Sequence, residues 1–273
     1  MILGIDIGGT TTDIVCFNKN KLSGFLTVTA DDPVTSASGA LGKFTKEQGL
    51  QLSDIDSIAV TGVGARALGS DLFGVPIEKV DEFNAIGLGG TYLSGLNLAI
   101  VVSMGTGTAL VKADGLNVTH LGGTGIGGGT LIGLSKYMLG ITDFDTLIEL
   151  AQKGNLKTVD LAVGDIAMAD FGNLPSDVTA SNFGKHSDKV TDADKALGII
   201  NMVCQVIGVM AVFASKNDKI NQIVLTGKML RIPQAMDIFK RLENLFKIQF
   251  IIPSNASFAT AVGAARFLIA EHP

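Results

Sequence analysis

Three glycine-rich turns and an aspartate are where this sequence can do chemistry. Gly8-Gly9-Thr10 and Gly105-Thr106-Gly107-Thr108 each fall between two β-prone runs, and Gly127-Gly128-Gly129-Thr130 opens a helical stretch. A turn of Gly and Thr lets backbone N–H groups approach an anion with no Cβ in the way, and the threonine hydroxyls add donors. A helix N-terminus offers its free N–H groups to the same kind of ligand. Taken singly, each turn reads better as only a tight hairpin or a helix entry; taken together, three such turns favour phosphate binding. Two common phosphate devices are excluded. No Gly-Lys-Ser/Thr follows any of the turns, and Gly8-Gly9 leads into a strand rather than the helix of a dinucleotide fingerprint. Asp6 ends the first strand just before the glycines, where a carboxylate either holds a hydrated Mg²⁺ against phosphates or simply orders the turn.

The elements that position these turns come in two rounds. Strands are expected at residues 2 to 7, 13 to 17 and 24 to 29, then a helix at 34 to 48, strands at 55 to 60 and 75 to 80, and a helix from 82. The pattern restarts with strands at 98 to 103, 108 to 112 and 116 to 120, so that strand, Gly/Thr turn, strand, turn, strand occurs twice. Helices at 128 to 138 and 143 to 152, a long one from 194, a strand at 222 to 226, a helix at 232 to 245, a strand at 248 to 252 and a last helix from 258 complete the chain. This order predicts two α/β lobes with a cleft between them, divided at residues 1 to 97 and 98 to 273. Residues 155 to 190 are polar and irregular, a loop-rich insertion.

Composition narrows the partners. With 273 residues, 47% hydrophobic, 17% charged and 34 Gly against 6 Pro, the chain can bury one large core or two modest ones. A net charge of -5 without a Lys/Arg cluster gives no electrostatic footprint for nucleic acid. Cys16 and Cys204 are isolated, with neither a disulfide framework nor metal-ligand spacing, and read as buried thiols. The first residues show no secretory signal, so the expected address is cytoplasmic. Residues 196 to 215 are uncharged and about long enough to span a bilayer. Asn201 and Gln205 on one helical face, and soluble-looking flanks, favour a buried core or interface helix without a membrane.

The chain resembles the type II pantothenate kinases. The residues that carry the resemblance are Gly4 to Thr10, Asp81-Glu82-Phe83-Asn84-Ala85, Gly105 to Thr108, Gly122 to Thr130 and Thr179 to Gly184, in the family's order and over nearly the whole chain. The family belongs to the actin-like, sugar-kinase-like ATPases. The resemblance therefore implies an α/β fold of two ribonuclease-H-like lobes closing on ATP and Mg²⁺, with the C-terminal helix, about 257 to 273, packing back on the first lobe. It implies transfer of the γ-phosphate to a hydroxyl of pantothenate or a related pantetheine-like compound, in coenzyme A biosynthesis. Glu82 matches the family's general base, although Asp81 and Glu82 also simply favour a helix N-terminus. Carried over in the same way, Gly8, Gly9, Thr10, Thr11, Thr12, Thr106, Gly128, Gly129, Thr130, Leu131, Ile132, Phe144 and Lys228 surround ATP, although Phe144 equally fits ordinary core and Lys228 a solvated surface lysine; Asp6 at the metal remains the reading from its own position. A homodimer built partly on residues 196 to 215 and feedback by CoA or acyl-CoA are further implications.

Two positions depart from the family. Its first turn continues Gly-Gly-Thr-x-x-Lys, where this chain has Asp13, and its third has an Arg where this chain has His120. An arginine fork binds carboxylate or phosphate in a way that a neutral imidazole does not reproduce, so His120 is either a changed specificity residue at the catalytic site or a residue of a retired one. Two alternatives follow. One is a nucleotide- or CoA-binding regulatory protein of the same fold without pantothenate kinase activity. The other is an ATPase activator of a partner enzyme, which the two isolated cysteines disfavour. His186 and His272 are expected at the surface with no role.

Overall fold

The computed structural model describes residues 1–29, 31–167, 175–185 and 187–272. His186 lies outside the described residues. In the first half, β1 (Ile2–Ile7), β2 (Thr12–Asn18) and β3 (Lys21–Val28) form an antiparallel meander, followed by α1 (Pro33–Gln48), β4 (Ser57–Thr61), the short β5 (Asp71–Leu72), β6 (Val75–Lys79) and α2 (Glu82–Ser94). The sheet order is β3-β2-β1-β4-β6-β5, with β1, β4 and β6 parallel. The second half repeats the plan: β7 (Leu98–Met104), β8 (Thr108–Asp114) and β9 (Asn117–Thr124) are an antiparallel meander. After α3 (Gly128–Leu139), α4 (Phe144–Ala151), the hairpin strands β10 (Leu161–Ala162) and β11 (Thr179–Ser181) around α5 (Val163–Ala167), and α6 (Asp192–Asp218), come β12 (Gln222–Thr226), α7 (Pro233–Phe246), β13 (Gln249–Ile251) and α8 (Ala259–Glu271). The second sheet runs β13-β12-β7-β8-β9, with β7, β12 and β13 parallel. Three antiparallel strands followed by parallel additions on the other side of the first strand occur in both halves, the pairing of two ribonuclease-H-like lobes.

Helices α2 and α8 form the layer between the sheets. α2 packs Ile86 with Val101, Val111 and Val224 of the second sheet, while α8 packs Ala261, Val262 and Ala265 with Val15 and Phe17 of the first. Where the two helices meet they do so backbone to backbone. A Cβ at Gly89 would run into the Ala259 carbonyl, and one at Gly263 into the Ala85 carbonyl. Glycine is dear in a helix interior, by roughly 1 kcal/mol relative to alanine, and here it makes room for that crossing.

The long apolar stretch becomes α6, 27 residues that run through the second core against Leu131, Leu147, Ile238 and Phe239. It is the one helix long and apolar enough to cross a membrane among the described residues, and most of its apolar window is buried within the protein. Its start is fixed by a capping box. Thr191 Oγ1 accepts from Asp194 N at 3.2 Å and Asp194 Oδ2 accepts from Thr191 N at 2.9 Å.

The described part of the segment read as loop-rich contains a buried polar hub. Asp160, 5% exposed, accepts from Phe183 N at 2.9 Å, Asn201 Nδ2 at 2.7 Å and Asn182 Nδ2 at 3.3 Å. A buried carboxylate needs such partners, and this one ties Asn182 and Phe183 of the Thr179 to Gly184 block to α6.

Candidate active site

The candidate site lies where β1, β4, β7 and β12 end, the edge at which ligands bind in sheets with parallel strands. Each pair of strands ends in the same device. β4 stops at Thr61, Gly62 turns with φ +86, and a 3-10 turn Val63–Ala67 follows; β12 stops at Thr226, Gly227 turns with φ +99, and a 3-10 turn Lys228–Arg231 follows. A Cβ at Gly62 would collide with Asp6 Oδ1 and the Ile7 carbonyl, and one at Gly227 with the Met104 backbone. Both glycines thus bring a turn hard against the end of the neighbouring strand, a relationship that Thr-Gly alone does not announce in sequence.

The first turn is open. Gly8 N donates to Thr11 O at 3.0 Å to close it, Gly8, Gly9 and Thr10 are exposed, and nothing lies within 4 Å of a Cβ placed on Gly9. The second turn is similar, with Gly105 N donating to Gly107 O at 2.9 Å and Thr106 exposed. The third differs from expectation. Gly128 N donates to Gly105 O at 2.8 Å, Gly129 N to Thr106 O at 2.9 Å and Gly127 N to Thr130 Oγ1 at 3.2 Å. The Gly128 and Gly129 donors stitch the start of α3 to the second turn, and that of Gly127 is taken up by the Thr130 hydroxyl within the helix start, so these three are not free for an anion. Their glycines are explained by that close approach, since a Cβ at Gly127 would meet Thr106 O at 2.6 Å. Two further residues of the expected nucleotide set turn inward. Thr12, 1% exposed, accepts from Ser36 Oγ at 2.6 Å, and Leu131, 0% exposed, lies in the second core with its N–H bonded to Gly127 O. Neither side chain reaches the cleft. Phe144 at the start of α4 is half-buried against the same core, and Ile132 is half-buried one position beyond Leu131.

The charged groups converge from both lobes. Asp6 and Asp13 are direct partners across β1 and β2, Asp13 pairs with Thr27 on β3, and Asp6 with Thr61 on β4. Thr27, Asp13, Asp6 and Thr61 therefore form one row across the sheet beneath the first turn. Asp13 is buried, and its Oδ1 accepts from Thr27 Oγ1 and lies 3.0 Å from Lys228 Nζ. Lys228 also donates to Thr11 Oγ1. Burial raises Asp13 above the usual carboxylate range, against which Lys228 and Thr27 pull it back. Asp6 is pushed up to about 7, by burial first, then by the negative charges of Asp13 and Glu82, with Lys228 opposing. Among the described residues, no group of three or more His, Cys, Asp or Glu is placed to hold a metal by itself. Asp6, a carboxylate beside an anion cradle and, among the described residues, without a hydrogen-bonding cation of its own, does fit Mg²⁺, which is held by one or two carboxylates and completed by phosphate and water.

Glu82 is the first residue of α2. Asp81 caps the helix, its Oδ1 accepting from Phe83 N at 3.0 Å and Asn84 N at 3.1 Å, which leaves Glu82 open at the cleft. The surrounding protein, and then the Asp81 charge, raise its carboxyl above the ordinary value. His120, exposed on β9, stacks on Phe83, with ring centroids 3.9 Å apart and planes 15° from parallel. Phe83 links the α2 start to the second sheet and no spacing rule pointed to it. His272 is exposed at the end of α8, 3.5 Å from Glu78. Cys16 and Cys204 are buried in different cores, and burial pushes the Cys204 thiol up to about 12.

Comparison with known proteins gives this arrangement a family. The Fumble family model matches residues 98–264, and the Hydantoinase/oxoprolinase N-terminal region model matches residues 2–65. The type II pantothenate kinase of Staphylococcus aureus (strain USA300) is 31% identical over 276 residues, covering 97% of this chain and 98% of that protein. Among solved structures, the activator of the 2-hydroxyisocaproyl-CoA dehydratase from Clostridium difficile with bound ADPNP superposes with a TM-score of 0.70 at 17% identity, over 99% of this chain and 94% of that one. A ROK family glucokinase from Streptomyces griseus in complex with glucose and AMPPNP gives 0.61 at 12% identity, over 97% and 98%. At such identities the two structures establish the actin-like ATPase and sugar-kinase-like fold, while the sequence relatives and the Fumble match go further: the chain belongs to the type II pantothenate kinase family, whose members are small-molecule kinases.

Proposed function

We propose that this protein transfers the γ-phosphoryl group of ATP to a hydroxyl of pantothenate or a pantetheine-like compound in the cytoplasm, as a step of coenzyme A biosynthesis. The observation that carries the reading is the convergence of the open turn Gly8 to Thr11 and the turn Gly105 to Thr108 on Asp6, Lys228 and Glu82. In this reading residues 1 to 97 and 98 to 273 act as the two lobes that close on the nucleotide, as the fold relatives bound to ADPNP and AMPPNP suggest.

The backbone donors of Gly9 and Thr10 and the Thr106 hydroxyl cradle phosphate oxygens, while Gly128, Gly129 and Thr130 shape the wall above them. Ile132, Phe144 and the turn at Lys228 flank the nucleoside. Asp6 would hold Mg²⁺, which when bound supplies charge neutralisation for the phosphates. Glu82, raised above its ordinary pKa, accepts the proton of the acceptor hydroxyl. His120, held by Phe83 beside it, contacts the acceptor. Catalysis is then chiefly positioning and charge stabilisation. A homodimer and feedback by CoA or acyl-CoA belong to the same reading.

The test is kinetic. Glu82→Gln should lower kcat by about 100-fold or more, the usual worth of a general base, with the affinity for a non-hydrolysable ATP analogue retained. Full activity of that variant contradicts the assignment.

A further inference from the structure

Asp13 is an acid at a place that should repel phosphate, yet it is built in with care. It is 4% exposed, stands directly opposite Asp6 in the sheet, and receives both Thr27 Oγ1 and the Lys228 ammonium on one oxygen. A like charge opposite another is costly, and an unpaired buried carboxylate more so. Lys228 relieves both, and it does so from the other lobe. It begins the 3-10 turn after Gly227, which is pressed against Met104 at the end of β7, so its backbone is anchored beside the second turn. Its side chain crosses the cleft to Asp13 and to Thr11 in the first turn.

A lysine ammonium is a compact charge on a flexible stem with three N–H donors. Two are spent on Asp13 and Thr11, and the third is available to a ligand. Among the described residues, Lys228 is the only cation within ion-pair distance of Asp13.

We propose that Asp13 is a positioning residue for the phosphate-site cation. It holds Lys228, delivered from the C-terminal lobe, against the first turn, so that a phosphate in the cradle meets the ammonium and both lobes at once. The proposal rests on the nucleotide reading of the cleft and adds to it a residue that contacts no substrate.

The test is calorimetric binding of a non-hydrolysable ATP analogue with Mg²⁺ to the full chain, for wild type, Asp13→Asn, Lys228→Met and the double variant, with melting temperatures measured without ligand. The expected result is a Kd raised by about 10-fold in each single variant and no further in the double, because the two residues act as one unit. Thr27→Val, which removes the hydroxyl from the same Asp13 oxygen, should raise Kd by about 2-fold and serves if Asp13→Asn fails to fold. A strut without a role in binding would lower the melting temperature and leave Kd unchanged. That outcome, a tighter Kd in Asp13→Asn, or effects that multiply in the double variant overturns the proposal. If the wild type does not bind the analogue, the nucleotide reading itself falls and the proposal with it. Binding by wild type with an unaltered Asp13→Asn overturns the proposal alone.

Discussion

Asp6 and Asp13 face each other as direct partners on β1 and β2, two carboxylates side by side at the floor of the cleft. The chain counters them with one lysine, Lys228 of the turn after β12, 3.0 Å from Asp13. Because Asp6 is pushed up to about 7 from an unfolded value of 3.8, the folded state binds more protons than the unfolded state between these pH values. Stability without ligand should therefore fall as pH rises from about 4 to about 7, which is the sign for a carboxyl whose pKa is raised by folding. Asp6→Asn should flatten this dependence and raise the melting temperature at pH 8 by about 3 °C. Thermal unfolding of both proteins across pH 4 to 8 checks it, and an unchanged pH slope would count against the electrostatic description.

The helix crossing between the sheets makes a stability prediction. Gly89→Ala would drive a Cβ into the Ala259 carbonyl and Gly263→Ala one into the Ala85 carbonyl, where backbone on both sides has no room to give. Overpacking of this kind costs about 1 to 3 kcal/mol or more. Gly42→Ala in α1, where nothing lies within 4 Å, should be neutral or stabilising, since alanine is favoured over glycine in helices by about 1 kcal/mol. Urea unfolding of the three variants separates these cases.

The Phe83 to His120 stack makes a prediction about the acceptor. If the imidazole is held at the acceptor by this contact, Phe83→Ala and His120→Ala should each raise the KM for the acceptor by about 10-fold, with the KM for ATP altered by less than about 2-fold. His120→Arg should improve pantothenate over pantetheine, because an arginine fork recognises a carboxylate. Steady-state kinetics with both acceptors measure this, and equal effects on ATP and acceptor would place the stack elsewhere in the mechanism.

What the sequence made legible follows the range of its signals. The two Gly/Thr turns between strands and the repeated meander were readable because they are local, whereas the parallel addition of later strands beside β1 and β7 depends on pairings distant in sequence. Other features depend on partners far along the chain. The Gly127 to Thr130 turn reads as an anion site until the N–H groups of Gly128 and Gly129 are seen to bond Gly105 and Thr106, and Thr12 and Leu131 read as ligand contacts until they are seen to face inward. Asp13 reads as a loss of charge when taken alone, because its partner Lys228 is 215 residues away. Phe83 and His120 meet only because α2 lies on the second sheet. The polar segment from 155 to 190 concealed a hub at Asp160, whose partners Asn182 and Phe183 lie in the turn after β11 and Asn201 in α6.

Phosphoryl transfer to a pantothenate-like alcohol is tested most directly by the release of ADP from ATP and Mg²⁺, with no acceptor, with pantothenate and with pantetheine, and with Glu82→Ala alongside. The expected result is that one acceptor stimulates ADP release and that Glu82→Ala abolishes the stimulation. No stimulation by either acceptor, in a protein whose melting temperature still rises with ATP or CoA, would contradict it and leave a binding protein of this fold.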